Sequence, residues 1–82
     1  MPVYLDHHKT IEMSPEMAKK MVADMKAGRK DQFGNKILNV FAGKSETWCL
    51  VEAPNFEAVA KGHEGYGLKL GKADVVEVKP LV

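Results

Sequence analysis

Apolar side chains recur along this chain with two alternating periods, and the switches between them divide it into six elements. From Val3 to Lys9 the period is two: Val3, Leu5 and His7 share one face of an extended strand, and Tyr4, Asp6 and His8 share the other. Ser14-Pro15-Glu16 then marks a helix start, with a hydroxyl cap, a proline at the first helical position and an acid in the first turn. Met17, Ala18, Met21, Val22 and Met25 follow at spacings of three and four and form one apolar stripe, with Lys19, Lys20, Asp24 and Lys26 outside it. Gly28 is a stop for this helix, although the pattern also allows it to reach the Phe33-Gly34 turn. Ile37 to Ala42 and Thr47 to Ala53 predict two further strands joined by the short connection Gly43-Lys44-Ser45-Glu46. Asn55 can cap a second helix whose apolar face carries Phe56, Val59, Ala60 and His63, and which Gly65 and Gly67 close. Ala73 to Val78 predicts the last strand, and Pro80 suits a strand edge or end.

The order β-α-β-β-α-β predicts a ferredoxin-like α+β sandwich: a four-stranded antiparallel sheet in the order 4-1-3-2, with both helices on one face. The other face of such a sheet is bare. In so short a chain, apolar side chains on that face call for a cover, so the expectation is a homodimer joined through it.

Composition narrows the picture. The chain has 82 residues, enough for a single domain spanning 1–82. A chain of this size buries only roughly 60–65% of its unfolded surface, so small domains often rely on a disulfide, a metal or a partner subunit. The one cysteine, Cys49, removes the intramolecular disulfide. A hydrophobic fraction of 45% and a charged fraction of 28% exclude wholesale disorder. Twelve basic against eleven acidic residues give a net charge of +1, which provides no electrostatic reason to expect nucleic acid or an anionic membrane as partner. Asp6 interrupts the N-terminal apolar run before a signal-peptide core can form, and no apolar stretch approaches the roughly 20 residues of a membrane span. With a lone thiol, these features predict a cytoplasmic protein.

The candidate chemistry lies in the three histidines, the acids and the thiol. In the expected topology strand 1 runs toward the end where strand 3 begins and helix 2 finishes. Asp6, His8, His63 and Cys49 therefore converge at one rim, whereas Glu52 falls about 10 Å below Cys49. Imidazole, carboxylate and thiolate together form a ligand set for first-row transition metals, with nickel, zinc, copper and iron all chemically accessible. Each residue also has a plainer reading. Asp-His-His at a strand end is commonly a polar rim, a histidine on an apolar helix face is commonly hydrogen-bonded in the core, and a cysteine inside Trp48-Cys49-Leu50-Val51 is commonly a small buried hydrophobe. The Met17/Met21/Met25 stripe reads as core, and Trp48 and Tyr66 as packing residues or pocket walls. No CxxC, HExxH or phosphate-loop pattern occurs.

These residues also carry a resemblance. Asp6-x-His8, Asp31-x-Phe33-Gly34, Asn39, the block from Cys49-Leu50-Val51-Glu52-Ala53-Pro54-Asn55 into Glu57-Ala58-Val59, His63, Gly67 and Glu77-Val78 together cover nearly the whole chain. On them the chain resembles a family of small bacterial proteins of ferredoxin-like fold, long catalogued as a domain of unknown function and including a nickel-binding branch. The resemblance implies a dimeric protein with a divalent-metal site, nickel being the named ion. The polar positions of the pattern fall on Asp6, His8, Cys49, Glu52 and His63, while His7 and Gly62 depart from it. The first functional expectation is therefore a non-catalytic metal-binding dimer using Asp6, His8, Cys49 and His63. The alternatives are a small dimeric barrel enzyme, in which Asp6 orients His8 as an acid–base pair beside Trp48 and Tyr66, and a structural or regulatory dimer with an incidental polar rim.

Overall fold

The computed structural model describes residues 1–79 and residue 81; the expectation for Pro80 lies outside the described residues. In chain order the elements are β1 (Val3–Lys9), α1 (Pro15–Ala27), β2 (Lys36–Ala42), β3 (Glu46–Glu52), α2 (Phe56–Glu64) and β4 (Val75–Val78), with 3₁₀ turns at Thr10–Glu12 and Lys72–Asp74. The helix starts follow from their caps. Ser14 Oγ accepts the Met17 N–H at 3.2 Å, and Asn55 Oδ1 accepts the Ala58 N–H at 2.8 Å. The end of α1 is decided at Gly28, which takes the left-handed conformation with φ 66° and returns its N–H to the carbonyls of Asp24 and Met25. β4 begins two residues later than the sequence pattern suggests, because the Asp74 carboxylate accepts the Gly71 N–H at 2.9 Å and winds Lys72–Asp74 into a turn.

The strands form one antiparallel sheet in the order β2-β3-β1-β4, which is 4-1-3-2 read from the opposite edge. This α+β arrangement is consistent with a ferredoxin-like fold. Register then sorts the side chains. Tyr4 faces Val51, Asp6 faces Cys49 and His8 faces Thr47 across the β1–β3 ladder, so all six lie on one side. On that side Cys49 and Val51 pack with Ile37 of β2, Met21 of α1, Ala58 and Val59 of α2, and Leu68 from the segment after α2. Both helices therefore cover the same face. Leu68 is only 1% exposed although it stands in a glycine-flanked run that lacks any periodic pattern.

The second face carries Leu5, Trp48, Leu50, Phe41 and Val76, and no helix among the described residues covers it. Val76 remains 56% and Phe41 49% exposed. His7 lies on this face too, with its ring nitrogens 3.6 Å from Glu46 and 3.9 Å from Asp74.

Candidate metal centre

Three elements deliver the donors. The two-residue period of β1 puts Asp6 and His8 on the helix-covered face, the antiparallel register sets Cys49 directly opposite Asp6, and the last turn of α2 lowers His63 onto them. One donor atom from each of Asp6, His8, Cys49 and His63 lies within 4.8 Å of every other. The convergence expected from topology is therefore present, but it is not a rim. The four residues are 0%, 5%, 0% and 3% exposed respectively, because α1 and α2 roof this part of the sheet. Glu52 is opposite Val3 at the far end of β3, as the topology implied, and His7 points to the uncovered face.

His63 is oriented by its own helix. Its Nδ1 donates to the Val59 carbonyl at 2.9 Å, so the lone pair of the neutral ring is on Nε2 and faces inward. That Nε2 stands 3.2 Å from Asp6 Oδ2, outside hydrogen-bond geometry. His8 Nε2 lies 3.8 Å from Cys49 Sγ. Both oxygens of Asp6 and Nε2 of His63 are buried with no hydrogen-bond partner among the described residues. The nearest polar atoms to Asp6 Oδ2 and His63 Nε2 are thus each other, at 3.2 Å, and a cation between them would take both as donors.

In the metal-free protein the electrostatics couple His63 to Asp6, and a metal would have to displace the proton they share. Burial alone would lower the His63 pKa, but the Asp6 carboxylate, the Val59 carbonyl and Asp31 together outweigh it and hold the ring proton more tightly than usual. Burial, reinforced by the negative charge of Asp6, pushes the Cys49 thiol well up. Without a metal Cys49 is thus a neutral and poorly nucleophilic thiol; a coordinated cation would make it a thiolate. Bond lengths of about 2.0–2.3 Å give donor–donor edges of about 3.3–3.8 Å in a tetrahedral site. The 3.2 and 3.8 Å contacts match those edges, and all four donor atoms lie within 4.8 Å of one another.

The aromatic pair expected beside an acid–base site is divided. Trp48 lies on the uncovered face, whereas Tyr66 packs edge-on to His63 with ring centroids 6.5 Å apart. Asp6 faces His63 rather than orienting His8. A groove of about 380 Å³, lined by Lys30, Phe33, Asn35, Lys61, Tyr66 and His63, leads from solvent to the outer side of His63 and not to His8.

Three neighbours of the centre carry no distinct sequence signal. Met21 falls within an ordinary amphipathic stripe, yet its Sδ lies 3.7 Å from Cys49 Sγ. Asn35 Nδ2 donates to Asp31 Oδ2 at 2.8 Å and to the Ala58 carbonyl at 2.6 Å, tying the loop before β2 to the helix that carries His63. Gly62 permits this contact: a Cβ there would collide with Asn35 Nδ2 and stand 2.6 Å from Asp31 Oδ2.

No family model, curated protein or solved structure matches the chain. Its chemistry is accordingly read from these atoms.

Proposed function

We propose that this protein binds a divalent transition-metal ion through Asp6, His8, Cys49 and His63, and that it does so as a homodimer joined through the uncovered face of its sheet. The observation that carries the metal reading is the convergence of four buried donors, from Asp6, His8, Cys49 and His63, within 4.8 Å of one another. One carboxylate, two imidazoles and one thiolate make a borderline-soft set suited to nickel, zinc or copper, and nickel is the ion that the family resemblance implies. Four protein donors in a roofed cavity favour holding an ion over turning over a substrate, since catalytic centres keep a coordination position open.

Elemental analysis of protein purified without an affinity tag, followed by titration of the metal-free form with nickel and zinc, tests this reading. The expected result is about one ion per chain, released by chelator, with high-affinity uptake lost in a His8→Ala/His63→Ala double variant. Sub-stoichiometric metal in the wild type, together with unchanged uptake in the double variant, overturns it.

A further inference from the structure

The four proposed ligands leave one adjacent donor unused. Met21, at the middle of α1, is only 1% exposed, and its thioether sulfur is 3.7 Å from Cys49 Sγ. In the metal-free protein that contact is a thiol donating to a thioether. It is also the separation of two donors on one ion, since sulfurs each about 2.3 Å from a tetrahedral metal lie about 3.8 Å apart. Met17 and Met25, on the same stripe, are only partly buried, and nothing places their sulfurs at the centre. A leucine would fill the Met21 position with similar volume, so the distinctive contribution of this side chain is the sulfur atom beside the thiol.

We propose that Met21 is a further ligand of this centre and makes it prefer copper, in the cuprous state, over zinc and nickel. The proposal rests on the metal reading above for the presence of a metal at this cluster and departs from it in the ion, since cuprous copper is monovalent and would take Met21 in place of Asp6. A thioether is neutral, soft and polarisable; it stabilises cuprous copper and adds little for zinc or divalent nickel. Two imidazoles, a thiolate and a thioether form the softest four-donor set the cluster offers, drawn from His8, His63, Cys49 and Met21. Replacing Met21 by Asp6 gives the harder set, suited to the divalent ions. Met21 thus acts on selectivity, while the histidines and Cys49 serve both sets.

Competition titrations under reducing conditions test this, using cuprous ion with a chromophoric chelator and, separately, zinc and nickel, for the wild type and Met21→Leu. The expected outcome is that Met21→Leu weakens cuprous binding by about tenfold or more and changes zinc and nickel binding by no more than about twofold. Met25→Leu, on the same stripe, leaves all three unchanged. X-ray absorption of the copper-loaded wild type provides a measurement independent of any variant, with two sulfur scatterers expected in the wild type and one in Met21→Leu. A single sulfur at copper in the wild type, or an equal change for all three ions in Met21→Leu, overturns the role of Met21 while leaving the metal site intact. A wild type that binds none of the three ions overturns the metal reading itself, and this inference with it.

Discussion

Asp24 and Asp6 are both largely enclosed carboxylates, and their partners set them apart. Asp24 Oδ2 accepts the Tyr66 hydroxyl at 2.7 Å and Lys20 Nζ at 3.0 Å, with Arg29 3.6 Å from Oδ1. The Tyr66 hydrogen bond is the largest influence, and with the two cations it outweighs burial to hold the Asp24 carboxyl below its ordinary value of 3.8. A folded-state pKa below the unfolded one means that this contribution is present above about pH 4 and is lost as the pH falls through the lower folded value. Tyr66→Phe removes the main cause. It should cost about 1 kcal/mol at pH 7 and progressively less as the pH falls below about 4, so urea midpoints of variant and wild type should draw together under acid. A variant destabilised equally at pH 7 and under acid would show that Tyr66 acts through packing alone. Asp6, by contrast, is fully buried beside Cys49 and His63, with His63 Nε2 3.2 Å away and no exposed cation near it, so its surroundings are those of a donor cluster rather than a fastening.

At the scale of elements, His63 depends on where α2 lies, and α2 is positioned by a loop. Asp31 Oδ1 accepts the N–H groups of Phe33 and Asn35 at 2.8 and 3.1 Å, which curls the loop so that Asn35 reaches the Ala58 carbonyl. Gly62→Ala drives a methyl group into this junction. The expected loss is about 1–3 kcal/mol of folding stability by chemical denaturation. In combination with Asn35→Ala the loss should be less than additive, since the two substitutions share one contact. Full additivity would mean that Gly62 is not held by that contact. Elements with strong local signals were legible in the sequence: the caps at Ser14 and Asn55, the period of two that aligns Asp6 with His8, and the strand order that brings Cys49 and His63 to them. The loop lock was not, because Asn35 and Gly62 meet only after two elements have packed. Nor was the depth of the centre legible. A spacing argument places residues at one end of a sheet but does not say how far two helices extend over it. Met21 was hidden for a further reason, since a sulfur that binds and a sulfur that packs have the same sequence pattern.

For the molecule as a whole, a ligand that binds only the folded chain stabilises it by mass action. At a hundredfold excess over its dissociation constant the gain is about 2.7 kcal/mol, or about 11–22 °C in Tm for a domain of this size. Thermal melts of metal-loaded and chelator-treated protein should differ by that amount, and coincident melts would mean that no ion is bound at the buried centre. The uncovered sheet face makes a separate prediction. Phe41→Glu with Val76→Lys places opposed charges in the apolar patch, on strands at opposite edges of the sheet. If that face joins two copies, sedimentation should report a dimer for the wild type and a monomer for the variant, with the helix-side core unaltered. The same mass for both would exclude the face as the interface.

The direct pairing of Asp6 with Cys49 across β1 and β3 has a consequence for how the chain reaches this state. A slip of one residue between these strands would send either Asp6 or Cys49 to the uncovered face, because successive side chains alternate sides. Under the metal reading, no ion could then gather all four donors. Only correctly paired chains would take up metal, and the ion would act as a proofreader of strand alignment, selecting one registration of the central ladder from its near neighbours.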